Sequence, residues 1–364
     1  VVGDEAGTAI TTGDNNVAIG YVAGDAITTG SESVALGSNS LSAATTSTKN
    51  TALGAYALRN DTLGSSSVAV GHQALNAQNF TSATAAYNVA VGANAGVAVT
   101  TGTANTLIGG LAGDALTTGS NNVALGISAL TTDDVGSRSV AIGSNALESQ
   151  NTASAANVYN VAVGYAAGAA VTTGTNNTLI GGLAGDALTT ASFSTALGYG
   201  SLGGAMTGEG NVALGVNTLL VATSAHSNTA VGTSAMSSAT TGTNNVAVGR
   251  NALDANTTAS NNTAVGYDSL GANTTGASNT AVGFSALDAN TTGGQNVALG
   301  DNALGANTTA DYNTALGTST LQLNTTGVNN VATGAFSLTA NTTGDNNVAM
   351  GYQALKSNTT ADNN

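Results

Sequence analysis

Histidine, serine and aspartate are the residues of this chain that could carry catalysis, but they form no catalytic pattern. His72 and His226 have no partner cluster, whereas a zinc site needs three or four converging ligands. Serine forms no nucleophile motif with them. The segment GGLAGDAL, at 109–116 and 181–188, is not followed by the lysine of a phosphate-binding loop. We predict no catalytic residue, no metal site and no cofactor, and a chain that is not an enzyme.

The composition narrows the classes of protein to which the chain could belong. Charged residues are 7% of the 364 residues, against about a quarter in ordinary domains. The net charge of −14 opposes binding to nucleic acid through phosphate contacts. No apolar run approaches the roughly 20 residues of a membrane helix, so we predict no membrane insertion in this segment. With 49 Gly and few large apolar residues, the chain favours a narrow, tightly packed structure.

A 17-residue repeat runs through the chain and supplies the positions on which any site must lie. Its mark is the glycine that closes each V-A-V-G-like segment, here called the marker glycine, and positions are counted from it. Of the 20 intervals between 21 marker glycines, 18 are 17 residues and two, Gly71–Gly92 and Gly143–Gly164, are 21. We predict one continuous repeat domain, 1–364, with mixed coils and two four-residue insertions in 1–200 and uniform coils in 201–364. The register is set by glycines such as Gly20, Gly37, Gly54, Gly249, Gly266, Gly283 and Gly300.

Each coil offers one large apolar side chain, at one of two positions. Most copies have Leu or Met at position +4, as at Leu253 and Leu270. Six copies instead have Gly at +4 and an aliphatic residue at +7, as at Gly24 and Ile27. We expect the two coil types to fill the same pocket.

The local pattern predicts an all-β fold. V-A-V has β-branched residues at alternate positions, which is typical of a strand, and NTTG has the chemistry of a turn. We predict a parallel β-solenoid (β-roll) of about 21 coils, with a second strand in each coil near the SAL or AGDAL segment and an amide ladder of stacked Asn. A strand that is apolar on both faces is normally covered on both. We therefore expect identical chains to pack together, as a homotrimer.

Three further features could bind a ligand. Asp recurs at +5, where we favour a solvated face over weak cation binding, and rings recur at +1, where we favour packing over sugar stacking. Asn-Thr-Thr triplets match the glycosylation pattern, but their periodicity makes turn chemistry the simpler explanation. The two insertions are the best candidates for contact loops. The Asp residues are Asp25, Asp114, Asp186, Asp254 and Asp288; the rings are Tyr21, Tyr165, Tyr199, Tyr267, Phe284 and Tyr352; the candidate contact residues are Asn79, Phe80, Tyr87, Asn151 and Tyr159.

The repeat resembles known fibres. The signature NNVAIG at 15–20 and NNVAVG at 244–249 looks like the head repeats of trimeric autotransporter adhesins, and NTAVGYDSLGANTTG at 262–276 is similar to repeats in bacteriophage tail and side fibres. The resemblance implies a left-handed parallel β-roll in a tight trimer. It predicts an extracellular location, on a virion or a bacterial surface.

The function expected from these observations is mechanical. We predict the structural shaft of an extracellular trimeric fibre used for attachment, with a cell-surface glycan or a protein as receptor. One alternative is the subunit of a self-assembling extracellular filament, since exposed terminal coils invite pairing. Another is an ice-binding β-solenoid, suggested by the Thr columns, although adjacent Thr residues in a strand point to opposite faces.

Overall fold

The chain folds as an all-β parallel solenoid with the predicted 17-residue period, in a computed structural model that describes residues 1–154 and 156–364. Within those ranges there is no helix, and so none that could cross a membrane. Contacts divide the chain into unit 1, Val1–Leu183, and unit 2, Ala184–Asn364. The prediction of an all-β parallel solenoid is confirmed.

Short strands recur once per coil. Unit 1 contains β1 (Val17–Ile19), β2 (Val34–Leu36), β3 (Thr51–Leu53), β4 (Gly64–Ser65), β5 (Val68–Val70), β6 (Thr84–Ala85), β7 (Val89–Val91), β8 (Thr106–Ile108), β9 (Val123–Leu125), β10 (Val140–Ile142), β11 (Val161–Val163) and β12 (Thr178–Ile180). Unit 2 contains β13 (Thr195–Leu197), β14 (Val212–Leu214), β15 (Thr229–Val231), β16 (Val246–Val248), β17 (Thr263–Val265), β18 (Thr280–Val282), β19 (Val297–Leu299), β20 (Thr314–Leu316), β21 (Val331–Thr333) and β22 (Val348–Met350).

Each strand pairs in parallel with the strand one coil away, and repeat positions face each other exactly in register. Thus Ala264 of β17 is opposite Ala281 of β18, and Ala281 is opposite Ala298 of β19. In unit 1, β4 and β6 form a separate two-residue pairing, with Gly64 opposite Thr84, where the first insertion widens its coil.

Side chains alternate across each strand, as the pleat requires. The middle residue is buried in every three-residue strand, and it is Ala in most of them. The residues at −3 and −1 point outward and are half-buried or exposed. The narrow interior of the coil accepts a small residue at −2 because a large side chain from +4 or +7 fills the space opposite.

The predicted second strand is wrong. The segment after the marker glycine is a run of turns, because residues at +2 and +4 take left-handed backbone angles, such as φ 57° at Asn251 and φ 54° at Leu253. A strand cannot contain such angles. The segment still stacks on the next coil, since the Leu253 N–H donates to the Ser269 carbonyl at 3.0 Å and the Ala255 N–H donates to the Gly271 carbonyl at 3.0 Å.

The two coil types fill one pocket in different ways. Gly24, at +4, has the same left-handed angle as Leu253, and a Cβ added there would lie 3.0 Å from Ile27 Cδ1. The +7 side chain therefore occupies the space that a +4 side chain would need. At Gly113 two side chains fill this space together, because an added Cβ would lie 2.8 Å from Leu107 Cδ2 and 2.9 Å from Leu116 Cδ1.

Two buried columns of asparagine tie the coils together. At −4, the Asn262 Oδ1 accepts the Asn279 backbone N–H at 2.8 Å, and the Asn279 Nδ2 donates to the Gly293 carbonyl at 2.8 Å. At +7 in unit 2, the Asn290 Nδ2 donates to Asn273 Oδ1 and to the Gly293 carbonyl, both at 2.9 Å. The amide ladder therefore satisfies backbone groups that lie away from water, in addition to linking side chains.

Marker glycines hold the closest approach between coils. The seven named above have φ between 130° and 143°, a region that residues with a Cβ rarely adopt. A Cβ added at Gly300 would lie 2.5 Å from the Gly317 carbonyl oxygen, which is itself backbone and cannot rotate away. The marker position thus accepts glycine for two reasons, the angle and the space.

We expect Gly300→Ala to destabilise unit 2 by about 3 kcal/mol or more, because left-handed strain adds to a backbone clash. Gly305→Ala is the matched control: an added Cβ there has its nearest atom at 3.4 Å, an ordinary contact. Thermal unfolding followed by circular dichroism measures both variants. Equal melting temperatures for the two would contradict this account of the marker position.

Candidate functional site

The candidate contact residues of the first insertion do not share one environment. Asn79 is exposed and Tyr87 is 64% exposed, but Phe80 is only 6% exposed. A Cβ added at Gly64 would lie 2.7 Å from Phe80 Cδ2, so the ring packs directly on the preceding coil. Phe80 therefore anchors the insertion, while Asn79 and Tyr87 remain accessible to a partner.

In the second insertion, Asn151 and Tyr159 are both exposed. Position 155, inside the predicted contact loop 148–160, lies outside the described residues. The Tyr159 hydroxyl accepts a hydrogen bond from Arg138 Nη1 at 2.9 Å, and the guanidinium lies 5.7 Å from the ring centroid. This pairing fixes the ring at the surface. Tyr87 and Tyr159 occupy the same repeat position, −5, and both have left-handed backbone angles.

Each insertion begins beside a buried carboxyl group that the sequence analysis missed. Asp61 is fully buried; its Oδ1 accepts the Gly64 N–H at 2.8 Å, and its Oδ2 accepts Gln78 Nε2 at 2.5 Å. Gln78 Nε2 also donates to Ser67 Oγ at 3.1 Å, and Gln78 Oε1 accepts Asn88 Nδ2 at 2.8 Å. The network links the coil before the insertion to the residue where the insertion starts.

The second insertion repeats the network almost atom for atom. Asp133 accepts the Gly136 N–H at 3.0 Å and Gln150 Nε2 at 2.6 Å. Gln150 in turn bonds Ser139 Oγ at 3.0 Å and Asn160 Nδ2 at 2.9 Å. The signal that could have found it is Asp at +7, where the coils from Gly249 onward have Asn, combined with the 72-residue spacing of the two copies.

Burial dominates the electrostatics of these two groups. It raises the pKa of Asp61 and of Asp133 above the ordinary aspartate value, and the hydrogen bonds from Gln78 and Gln150 offset this only in part. A carboxyl whose pKa is raised in the folded state binds more protons folded than unfolded. The free energy of unfolding therefore falls as pH rises through the folded pKa, and it rises on acidification.

We expect the double variant Asp61→Asn/Asp133→Asn to lose this part of the pH dependence. Relative to the variant, the wild-type chain should gain stability as the pH falls from neutral toward about pH 4, the ordinary aspartate range, by at most about 1.4 kcal/mol per pH unit for each carboxyl. Chemical unfolding at several pH values, followed by a signal that reports on unit 1, measures this difference in the free energy of unfolding. Asp14→Asn, at an exposed carboxyl, is the control and should follow the wild type; parallel pH profiles for wild type and double variant would contradict the assignment.

The histidines and the Asp column form no metal centre. No group of three or more potential His, Cys, Asp or Glu ligands occurs among the described residues. His226 Nδ1 accepts the Glu209 backbone N–H at 3.1 Å, and the His72 ring lies edge-on to Tyr56 at 6.0 Å. In the Asp column, Asp114 accepts the Thr131 hydroxyl of an adjacent coil rather than facing another carboxylate. These residues thus act within the coil stack.

The rings at +1 are more exposed than packing over a turn implies, between 42% for Tyr267 and 70% for Tyr352. Tyr267 and Phe284, in adjacent coils, stack with centroids 5.3 Å apart and planes 9° apart. The Arg250 guanidinium lies 6.0 Å from the Tyr267 ring. Tyr352 likewise lies edge-on to Phe336 with centroids 6.1 Å apart, whereas Tyr21, Tyr165 and Tyr199 are each more than half exposed.

The Asn-Thr-Thr triplets are part of the core. Asn256, Asn273, Asn290, Asn307 and Asn341 are all fully buried. Their Nδ2 groups donate to carbonyl groups three residues on, as Asn341 does to Gly344 at 3.0 Å. In the folded chain these amides are used in turns and are inaccessible to a modifying enzyme.

Comparison with known proteins adds no further assignment, because no protein-family model and no curated protein matches the chain.

Proposed function

We propose that the chain is a non-enzymatic structural segment, the shaft of an extracellular fibre in which three identical chains pack side by side and hold an attachment site at a distance. The observation that carries the proposal is the outward face of the strands. In β13 to β22 every residue at −3 and −1 is Val, Leu, Thr or Met, with no charge. The same positions of unit 1 are equally free of charge.

The size of this face supports association. Ten strands at about 4.8 Å spacing, about 10 Å wide, give on the order of 400 Å² in one unit. That is as large as the largest apolar patch of a typical monomer. A second copy of the chain offers a surface of the same length and register, so its strands match coil for coil. The resemblance to trimeric adhesin heads favours three chains over two.

The other sides of the coil are more polar than the strand face. Position +9 in unit 2 is a column of exposed threonines, including Thr275 and Thr292, and −5 carries polar and aromatic residues. These sides suit water. The strand face is thus the side whose removal from water stabilises most, at about 25 cal/mol per Å² of apolar surface.

The alternatives have weaker support. For ice binding, the threonines at +8 are already engaged: Thr274 Oγ1 donates to the Thr291 carbonyl at 3.0 Å, and Thr291 Oγ1 donates to the Thr308 carbonyl at 3.1 Å. The threonines at +9, such as Thr275 and Thr292, add one column of exposed hydroxyls, which is not a two-dimensional array. A self-assembling filament predicts a mass that grows with concentration, whereas a closed trimer has a fixed mass.

Light scattering after size exclusion tests the proposal. We expect a mass of about 104 kDa, three times 34.7 kDa, independent of concentration. Leu299→Lys places a charge on the strand face and should shift the mass toward that of one chain. Leu323→Lys is the matched control, since Leu323 has the same 49% exposure but lies at +6, away from the strand. A wild-type mass of one chain overturns the proposal, and so does equal dissociation by both variants.

A further inference from the structure

A third hydrogen-bond column, at position +11, is incomplete in unit 2. In the regular column, an oxygen of the +11 side chain accepts the N–H of the +11 residue in the preceding coil. Thr243 donates in this way to Ser260 Oγ at 3.0 Å, and Val328 donates to Asp345 Oδ1 at 2.7 Å. An unbroken column needs an acceptor side chain in each coil. Val328 lacks one singly, whereas Ala277 and Gly294 lack one in two successive coils.

The interruption leaves a surface hollow with unpaired polar atoms. Its volume is about 190 Å³, and Ala277, Ser278, Gly294, Gln295, Asp311 and Tyr312 line it. The point where a Cβ of residue 294 would lie is 3.0 Å from the Ala277 carbonyl oxygen, 3.7 Å from the Ala277 nitrogen and 3.8 Å from Asp311 Oδ1. Among the described residues, no acceptor takes the Ala277 N–H. An absent side chain has thus opened a space beside the Ala277 N–H. The Ala277 carbonyl already accepts the Gln295 N–H at 3.0 Å, so the Asp311 carboxylate is the acceptor for a ligand.

Two walls of the hollow are positioned for a ligand. Asp311 Oδ1 accepts the Gly294 N–H at 2.6 Å, which holds the carboxylate in place, while none of the described residues donates to Asp311 Oδ2. The Tyr312 ring is 55% exposed, and its neighbours at −5 in the two preceding coils, Ser278 and Gln295, add a hydroxyl and an amide. The site therefore combines one flat ring with donors and acceptors side by side.

This combination selects among ligand classes. A cation would use Asp311 and the ring but would be opposed by the Ala277 N–H, and an anion would be repelled by Asp311 and the net charge of −14. A hydroxyl group donates and accepts at once, so it matches both neighbours. The volume lies below the roughly 300–1,000 Å³ typical of pockets for drug-sized ligands. One ring is the size that fits.

We propose that the hollow binds a single neutral pyranose ring of a saccharide. One sugar hydroxyl donates to Asp311 Oδ2, a hydroxyl oxygen accepts the Ala277 N–H, and the apolar face of the ring stacks on Tyr312. The site lies wholly within unit 2 of one chain, so it is independent of the fibre proposal and of the number of chains. With so few contacts, the dissociation constant is on the order of 1 to 10 mM.

Saturation-transfer difference NMR on the intact chain tests the site, with methyl β-D-glucopyranoside and methyl β-D-galactopyranoside as probes. We expect transfer to at least one pyranoside, and none to sorbitol, which has similar hydroxyls but no ring. Gly294→Ser should weaken binding at least tenfold, because the Ser hydroxyl fills the space and accepts the Ala277 N–H as Ser260 does for Thr243. The variant restores the regular column, so the coil should remain folded.

Two variants divide the contacts. Asp311→Asn keeps an acceptor for the Gly294 N–H but removes the free one, and Tyr312→Ala removes the ring at a position where Ala104 already has the same backbone angle. Both should weaken binding at least fivefold. Tyr267→Ala removes an exposed ring elsewhere in unit 2 and should leave binding unchanged.

Three results would overturn the proposal: no transfer to either pyranoside, equal transfer in wild type and Gly294→Ser, or tetramethylammonium binding that Gly294→Ser abolishes without any pyranoside binding. A chain that proves monomeric but binds the pyranoside contradicts the fibre proposal alone. A trimer that does not bind it contradicts the saccharide site alone.

Discussion

Within each unit, the structure depends on one constraint: each coil lies directly on the next at the spacing of a single backbone hydrogen bond. At that spacing the marker glycines approach so closely that Gly300 has no room for a Cβ against Gly317. The constraint explains the exact period, because a coil one residue longer would turn every strand residue to the opposite face. The two longer coils keep the register because their four extra residues lie outside this sheet, between β5 and β7 and between β10 and β11. The strands on either side are still paired residue for residue.

The same constraint decides which polar groups can be inside. Asn279, buried at −4, accepts the Asn296 backbone N–H at 2.9 Å and donates to the Gly293 carbonyl at 2.8 Å, so both of its partners are backbone groups that the stacking of the coils supplies. Burying an unpaired amide costs more than a single hydrogen bond returns. Where Ser replaces Asn at −4, as at Ser67, the groups are still paired: Asn50 Oδ1 accepts the Ser67 N–H at 2.9 Å, and Gln78 Nε2 donates to Ser67 Oγ at 3.1 Å.

The period, the strand, the buried Asn and the shared pocket could be predicted from the sequence, because each is a column of one residue type. The turn after the marker glycine could not, because Leu253 gives no sign that its backbone is left-handed. The sign was in other coils: Gly24 stands where Leu253 does, and glycine is the residue that accepts that angle without strain. Single-residue patterns predicted an extended segment, and only the comparison of the two coil types indicates the turn.

The candidate sites were harder to predict than the fold because they consist of residues that depart from the repeat pattern. Phe80 was expected in a contact loop because it lies in an insertion, but an aromatic ring in an insertion can bury itself on the coil beside it. The hollow at Gly294 is marked only by what two coils lack, an oxygen at +11, and that loss has meaning only once the column is known to be a chain of side-chain acceptors. In a stack of near-identical coils, each repeat position has the same type of residue in many coils. A residue that breaks the rule either loses stability or gains a contact outside the stack, and Gly294, with Asp311 and Tyr312 beside it, has the chemistry for such a contact.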